Sequence, residues 1–263
     1  EWNELRDTPW GKMTKLDYRK LVEFREEEYR DLFAHAKTVG IVAFASVWDL
    51  PSLERMERVG SPCHKIPSAR AHDRTLIIAA WQTGKPIILS TGMSDWEDVC
   101  AVTESLVFQE LDRSRATLPE RMVEGIFDAA CCREQGKFEK AIRVADAAIK
   151  RDSSVVGKAI DRWLEEHEVA WNVVSGRLVL LQCTSAYPPR ADESNLRVIQ
   201  TYKQEFGCPV GFSSHKIGIQ TCILAVAAGA NLIERHISLD RSTKGSDHRM
   251  SSEPEDLARL VKE

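Results

Sequence analysis

The clearest fold signal in the chain is the stretch PVGFSSHKIGIQTCILAVAAGANLIERHI, residues 209–237. It holds two short, nearly continuous apolar runs, 209–214 and 232–237, on either side of a helical pattern at 218–230. Apolar runs of this kind are typical of parallel strands that are covered on both faces. A strand, a helix and a second strand in this order form a βαβ unit, so the stretch predicts a parallel sheet.

The same unit recurs along most of the chain. Four more apolar runs of strand length lie at 41–46, 63–68, 86–91 and 178–183. Other helical patterns end in glycine, a residue common at helix C-termini, and lie at 17–40, 52–60, 73–84 and 194–207. Repeated units of this kind indicate a parallel sheet that is either doubly wound or closed as a barrel.

The ends of the predicted strands separate these two architectures. Almost every strand finishes in small polar or ionisable residues, namely Ser46, Lys65 with Ser68, Ser90 with Thr91, Cys183 to Ser185, Ser213 to His215, and His236. A (β/α)8 barrel builds its site from the C-terminal ends of many strands, whereas a doubly wound sheet concentrates it at one switch point. We therefore predict an α/β fold of the TIM (β/α)8-barrel type. Six strands are visible, and two are missing or lie outside this chain.

A long interval divides the predicted barrel. Ser94 to Arg177 is too long for a single crossover, and it contains an Ala-rich helical pair around Gly136 that is loosely similar to tetratricopeptide half-repeats. One such unit is too short for a solenoid. We predict a helical insertion at 105–175 between two barrel parts, 1–104 and 176–263. A docking role for the insertion is the alternative.

Composition argues against several functional classes. The 263 residues are 43% hydrophobic and 29% charged, and a net charge of −4 favours neither nucleic acid nor a membrane surface as partner. No apolar run approaches the ~20 residues of a membrane span, and the N-terminus has no signal-peptide pattern. The seven cysteines are scattered without a C-x-x-C pair, which predicts reduced, packed thiols in a cytoplasmic protein.

Two histidines follow neighbouring predicted strands. Residues two apart on a strand share a face, so His215 points the same way as Ser213, and His236 the same way as Glu234. Adjacent parallel strands would bring the imidazoles together at the barrel mouth, with Asp247 in the following loop. Either they form a site for a divalent metal of the Mn/Zn/Fe group, or each is an ordinary strand-end histidine.

A lysine and several hydroxyl groups are predicted at the same mouth. Lys65 comes there with Ser68, Ser90 and Ser213. One cation with several hydroxyls suits a phosphate or a carboxylate. The alternative is a lysine whose amine reaches solvent, with serines that cap the following helices. No G-x-G-x-x-G or Walker A pattern is present, so a nucleotide is not favoured.

Five collinear motifs carry a family resemblance that spacing alone does not supply. They are DTPWGKMTKLDYRKLVEF at 7–24, PIILSTGMSDWEDV at 86–99, LLQCTSAYPP at 180–189, PVGFSSHKIGI at 209–219 and LIERHISLDRSTKGSDH at 232–248. Through them the chain resembles the sialic acid synthase (N-acetylneuraminate synthase) family. The resemblance implies a TIM barrel that condenses phosphoenolpyruvate with an N-acyl hexosamine, either N-acetylmannosamine or its 6-phosphate, and releases phosphate. It also implies a divalent metal, Mn2+ or in its place Mg2+ or Co2+.

The resemblance assigns roles to individual residues. His215 and His236 match the metal-binding histidines of the family, in which the metal polarises the sugar aldehyde as a Lewis acid. The residues that match positions holding phosphoenolpyruvate are Lys65, Ser46, Ser68, Ser90 and Ser213. Ser185 and Tyr187 match residues that line the same pocket, and Asp247 matches one that contacts the amino sugar. The expected catalytic residues are therefore the two histidines and the lysine.

Three departures from the family pattern remain. Arg70 follows the K-I-x-S motif where the family has an acidic residue that grips sugar hydroxyls, so either the sugar differs or Arg70 is a surface arginine. The first two strands are absent, which makes the expected barrel incomplete at its N-terminus. No part of this sequence resembles the C-terminal antifreeze-like domain of the family. In the family that domain reaches into the active site of the partner subunit, so the resemblance implies a homodimer.

These departures leave alternatives open. One is a pseudaminic or legionaminic acid-type synthase that acts on a related amino sugar. The other is a non-catalytic barrel remnant that serves as a binding scaffold. Retention of both histidines, of Lys65 and of the serines favours the enzyme. The expected partners are the two small-molecule substrates, with no nucleic acid and no membrane.

Overall fold

The computed structural model describes residues 3–8, 10–113, 155–245 and 247–263. The chain begins with a hairpin and three helices: β1 (Leu5–Thr8), β2 (Gly11–Thr14), α1 (Lys15–Val22), α2 (Glu26–Thr38) and α3 (Leu50–Val59). The parallel-strand region follows: β3 (His64–Ile66), α4 (Arg74–Gln82), β4 (Ile87–Ser90), α5 (Trp96–Arg113), α6 (Val155–Arg177), β5 (Leu178–Cys183), α7 (Arg197–Phe206), β6 (Val210–Ser214), α8 (Gln220–Ala227), β7 (Leu232–Arg235) and α9 (Pro254–Lys262). Among the helices in these ranges, none is both long and apolar enough to cross a membrane.

Strands β3 to β7 form one parallel sheet in which each strand pairs with the next along the chain. A doubly wound sheet reverses its strand order at a switch point, whereas consecutive order without reversal belongs to an arc of a (β/α) barrel. Isolated parallel bridges, Ser46 to Lys65 and Ile237 to Ser252, extend the arc at its two edges. The predicted α/β fold of TIM-barrel type is therefore confirmed, and the described sheet is a curled half-barrel.

Three strands of the parallel sheet are buried along their whole length, as expected of parallel strands that are covered on both faces. Every residue of β3, β4 and β6 is buried. Gly211 in β6 allows close packing, because a Cβ atom at this position would lie 2.5 Å from both Leu181 Cδ2 and the carbonyl oxygen of Leu232. Glycine therefore lets β6 approach its neighbours β5 and β7.

The core between the sheet and helices α4 to α6 centres on Trp81. This residue is fully buried, and its Nε1 donates to Glu110 Oε1 of α5 at 2.6 Å. The guanidinium of Arg177, the last residue of α6, lies 3.7 Å from the centre of the Trp81 ring and donates to the Trp81 carbonyl at 2.8 Å. These contacts join α4, α5 and α6 directly before β5 begins, and so fix β5 beside β4.

The single helix predicted at 17–40 is two helices. Glu23 and Arg25 have extended backbone angles between α1 and α2. The N–H of Arg25 donates to Glu28 Oε2 at 2.7 Å, so the side chain of Glu28 satisfies one free N–H at the start of α2. The apolar periodicity continues across this break, so the sequence pattern did not reveal it. The hairpin of β1 and β2 was not predicted either.

The strand predicted at 41–46 is wrong. Within the described residues, only Ser46 of this run pairs with a neighbouring strand, through the single bridge to Lys65. Ile41 and Val42 are 63% and 74% exposed. A strand requires backbone partners along its length, and here β3 lies beside the run only at its last residue. The other five predicted strands form within two residues of their expected ends.

The predicted domain division stays a prediction. Its boundaries at 104/105 and 175/176 fall inside α5 and α6, which pack against each other. Most of the predicted insertion, including the helical pair around Gly136, lies outside the described residues. Four of the seven cysteines, Cys100, Cys183, Cys208 and Cys222, are buried, as expected of packed thiols.

Candidate active site

The C-terminal ends of the parallel strands surround a cavity of about 480 Å³. Because parallel strands all end at the same edge of the sheet, side chains that follow different strands meet here. Nine of the eleven predicted site residues line the cavity: Ser46, Lys65, Ser68, Ser90, Ser185, Tyr187, Ser213, His215 and His236. Arg70 and Asp247 are the two that do not.

Lys65 places a buried positive charge in this cavity. It is the middle residue of β3 and is 5% exposed. Its Nζ donates to Ser90 Oγ of β4 at 2.8 Å and lies 3.4 Å from Glu234 Oε2 of β7. A buried ammonium needs such partners because its removal from water is costly. The cation is thus held between two strands, at the cavity surface.

Glu234 is a site residue that the sequence reasoning did not include among its candidates. Its Oε1 accepts a hydrogen bond of 2.6 Å from Ser213 Oγ, and Ser213 is its register partner on β6. Of the residues that line the cavity, Glu234 is the one with a carboxylate. The sequence places Glu234 on the same strand face as His236, and this was the signal that could have identified it.

The structure brings the two predicted histidines together. The ring centroids of His215 and His236 are 5.3 Å apart at 64°. Tyr187 stacks on His215 with a centroid distance of 4.1 Å and meets the edge of His236 at 6.2 Å. Three rings therefore form one wall of the cavity.

The surroundings of His215 select one protonation form. Its Nδ1 lies 3.0 Å from the carbonyl oxygen of Thr184, which can only accept, so Nδ1 carries the proton and Nε2 keeps its lone pair. Burial lowers the pKa of His215, which favours the neutral ring. A neutral imidazole whose other nitrogen donates to a carbonyl is the usual form of a metal-binding histidine.

The donor set fits a divalent ion that retains open coordination positions. His215 and His236 would supply two imidazole nitrogens. Asp247 Oδ2 lies 3.9 Å from His236 Nδ1, beside the cavity rather than in its wall. Across the described ranges, no group of three or more His, Cys, Asp or Glu side chains has a metal-binding arrangement. The remaining positions on an ion would thus be left to substrate and water.

Gly92 is a second site residue that the sequence reasoning missed. A Cβ atom at this position would lie 2.7 Å from Ser68 Oγ and in direct contact with Ser185 Oγ. This glycine, two residues after the end of β4, therefore allows the backbone to approach two hydroxyl groups of the cavity. Its signal in the sequence was a glycine in the strand-end segment STGMS.

Arg70 does not line the cavity, and its predicted role on the sugar side stays a prediction. It lies in the 3₁₀ turn Ser68–Arg70, and its Nη1 is 3.6 Å from Asp73 Oδ2, the N-cap of α4. The side chain is 39% exposed. The turn and this local ion pair place the guanidinium beside the start of α4.

Fold and cavity together define a barrel-mouth site that presents a cation, hydroxyl groups and two imidazoles. The family model described as the NeuB family matches residues 2–123 and 155–263. The chain belongs to the NeuB family.

Similar proteins carry related names. The chain is 29% identical over 254 residues to the N-acetylneuraminate-9-phosphate synthase of Homo sapiens, covering 96% of this chain and 52% of that protein. It is 28% identical to the N,N'-diacetyllegionaminic acid synthase of Legionella pneumophila, covering 94% and 53%. The crystal structure of the N-acetylneuraminic acid synthetase from Leptospira borgpetersenii matches with a TM-score of 0.64 and 26% identity, over 94% of this chain and 64% of that one. The chain thus spans about half the length of the curated relatives it matches.

Proposed function

We propose that this chain provides the catalytic barrel of a sialic acid synthase. The reaction would condense phosphoenolpyruvate with N-acetylmannosamine, or its 6-phosphate, to give N-acetylneuraminate, or its 9-phosphate, and phosphate. Membership of the NeuB family supports the class of enzyme. The observation that carries the proposal is the single cavity in which buried Lys65 and its surrounding hydroxyls face the pair His215 and His236.

The cation side of the cavity suits phosphoenolpyruvate. Its phosphate and carboxylate need positive charge and hydrogen-bond donors in fixed positions. Lys65 supplies the charge, and hydroxyl groups are supplied by Ser46, Ser68, Ser90 and Ser213. Ser213 already donates to Glu234, and Lys65 is close to the same carboxylate, so a bound anion would compete with Glu234 for both groups.

The imidazole side suits the aldehyde of the sugar. His215 and His236 would hold the divalent ion, which when bound supplies Lewis-acid polarisation of a carbonyl oxygen. We propose Mn2+ for this position, with Mg2+ or Co2+ as substitutes. Tyr187, stacked on His215, limits the freedom of that ring and covers it from solvent on one side.

The overall chemistry balances as a condensation with hydrolysis. Carbon 3 of phosphoenolpyruvate forms a bond to the aldehyde carbon, and the aldehyde oxygen takes up a proton to become a hydroxyl group. Water adds at carbon 2 and loses a proton, which balances the proton taken up by the sugar oxygen. The bond between carbon 2 and the phosphate oxygen then breaks, and phosphate leaves with the electron pair. Glu234 is the carboxylate in the cavity wall, and it is placed to accept the proton that the added water loses. Most of the rate would come from orientation and fixed charge.

Phosphate release tests the proposal. The purified protein would be given phosphoenolpyruvate and N-acetylmannosamine with and without Mn2+, and compared with His215→Ala and His236→Ala. His35→Ala, an exposed position in α2, is the matched control. Metal-dependent release that both variants lose and the control keeps would support the synthase. A folded protein that binds Mn2+ and phosphoenolpyruvate but releases no phosphate with any acceptor would favour the binding scaffold.

A legionaminic or pseudaminic acid-type synthase is the second candidate. Its support is the similar identity, 28% against 29%, to a synthase of diacetyllegionaminic acid and to one of N-acetylneuraminate 9-phosphate. Comparing kcat/KM for N-acetylmannosamine, its 6-phosphate and a diacetylated 6-deoxyhexose separates the candidates. The preferred acceptor identifies the product class.

A further inference from the structure

Arg235 is the last residue of β7 and lies between Glu234 and His236, which both line the cavity. Arg235 borders the cavity, but because side chains alternate along a strand its guanidinium leaves β7 on the face opposite to Glu234, toward the backbone of Ser214 and Met250. There it makes five hydrogen bonds, all to groups of the end of β6 or of residues 250–252. The chemistry proposed above assigns no role to this residue.

Two of these hydrogen bonds flank His215. Arg235 Nη1 donates to the carbonyl oxygen of Ser214 at 3.2 Å and to that of Lys216 at 2.5 Å. These carbonyls belong to the residues directly before and after His215. The guanidinium therefore fixes the backbone from which this imidazole projects, just outside the end of β6.

The other side of the guanidinium holds the backbone next to His236. Nη2 donates to the carbonyl of Met250 at 3.0 Å, and Nε donates to Ser252 Oγ at 3.1 Å. The N–H of Ser252 in turn donates to the carbonyl of His236 at 2.8 Å. One planar group thus connects the supports of both histidines.

We infer that Arg235 is a positioning residue for the imidazole pair: it sets the separation of His215 and His236 and keeps His215 Nδ1 on the carbonyl of Thr184. The fork of the guanidinium matters because it donates in several fixed directions at once. A lysine at 235 would reach either the carbonyls beside His215 or the 250–252 segment. This inference rests on the proposed function, in which the rings of His215 and His236 bind the same ion.

The test uses Arg235→Met, which keeps the apolar stem without the donors, and Arg235→Lys, which keeps the charge. Arg241→Met is the matched control, because Arg241 bonds Glu253 and Asp256 near the same segment but makes no contact beside His215. Long-range proton–nitrogen spectra of 15N-histidine-labelled protein report the tautomer of His215 without metal. Calorimetric titrations with Mn2+ and, separately, with phosphoenolpyruvate report the two halves of the cavity.

We expect wild type and Arg241→Met to show the single Nδ1–H tautomer, and Arg235→Met to show a mixture. Mn2+ affinity should fall roughly 10- to 100-fold in Arg235→Met, as for other residues that orient metal ligands, while phosphoenolpyruvate affinity is unchanged. Arg235→Lys should restore part of the Mn2+ affinity. If Arg235→Met does not fold, the same spectra of Arg235→Lys test the inference. We then expect a minor fraction of the second His215 tautomer beside the Nδ1–H form.

Several results would overturn the inference. One is a folded Arg235→Met with the wild-type tautomer and the wild-type Mn2+ affinity. Another is a loss of Mn2+ affinity that is the same in Arg235→Met and Arg241→Met. A third is a loss of phosphoenolpyruvate affinity in Arg235→Met as large as its loss of Mn2+ affinity. Failure of wild type itself to bind Mn2+ would instead contradict the metal in the proposed function. The tautomer spectra would still decide the role of Arg235.

Discussion

Lys65 Nζ and Ser90 Oγ lie 2.8 Å apart, and this hydrogen bond joins β3 to β4 inside the cavity. Both residues are buried, so the ammonium has little water around it. A second contact, 3.4 Å to Glu234 Oε2, balances its charge. The cavity therefore holds a cation whose partners are positioned before any ligand arrives.

Replacing this cation should weaken anion binding selectively. Hydrogen bonds to charged groups contribute about 1.5–3 kcal/mol, so Lys65→Met should reduce phosphoenolpyruvate affinity by roughly 10- to 100-fold. Calorimetric titration measures the change. The matched control is Lys85→Met, which removes a lysine paired with Glu57 outside the cavity lining. Equal affinity in wild type and Lys65→Met would show that the anion binds elsewhere.

Glu234→Gln should separate binding from turnover. The amide oxygen can still accept from Ser213, but the negative charge near Lys65 is lost. Phosphoenolpyruvate should therefore bind as well as or better than in wild type. If Glu234 accepts a proton during turnover, kcat should fall by about 10²–10⁴-fold. Calorimetric titration measures the phosphoenolpyruvate affinity, and steady-state kinetics at saturating substrate measure kcat. A weaker affinity with unchanged kcat would make Glu234 a binding residue only.

Much of this site could be predicted from the sequence because its residues follow the C-terminal ends of parallel strands. Lys65, Ser90 and Ser213 were found because parallel strands end at one edge of the sheet, whatever the intervening loops do. The role of Arg70 stays a prediction, because Arg70 lies in a turn beyond β3, where its direction depends on the turn and on a local ion pair with Asp73. Sequence spacing carries no information about that direction.

Contacts across the sheet were harder to predict. Glu234 meets Lys65 four strands away along the arc, across the cavity, and only the curl of the sheet brings them together. The strand at 41–46 failed for a related reason, because an apolar run indicates a strand but does not show whether a neighbour pairs with it. Closure and pairing are properties of the whole sheet, so local periodicity does not contain them.

Gly92→Ala should damage the cavity through two hydroxyl groups. The added methyl would meet Ser68 Oγ at 2.7 Å and also Ser185 Oγ, so one or both serines must move. Overpacking of this kind destabilises by about 1–3 kcal/mol and should also raise KM for phosphoenolpyruvate. Urea unfolding and steady-state kinetics measure the two effects.

Gly176→Ala is the control for that change. Gly176 lies in α6, and a Cβ atom there meets no other atom within 4 Å. Because alanine favours a helix over glycine, this variant should be stabilised by about 0.5–1 kcal/mol with unchanged kinetics. Normal KM and normal stability in Gly92→Ala would show that the two serines do not need their present positions.

His64 should make the fold sensitive to acid. Its side chain is fully buried in β3, with Nε2 2.9 Å from Glu57 Oε1, and Lys85 Nζ contacts the same carboxylate oxygen. Burial lowers the pKa of His64, although Glu57 acts in the opposite direction. Burial dominates because the ring has no exposed surface and Lys85 offsets the carboxylate. The folded protein therefore holds His64 neutral, whereas the unfolded chain protonates it near pH 6.5.

The sign of the pH dependence follows from that difference. Below about pH 6.5 the unfolded chain binds more protons than the folded protein at this position, so stability is complete above that pH and falls as the pH drops toward the lowered pKa. Urea unfolding at intervals from about pH 8 to 5.5 should show this loss in wild type and a smaller one in His64→Gln. His35→Gln, at an exposed position, should follow wild type. Parallel curves for wild type and His64→Gln would assign the acid sensitivity to other groups.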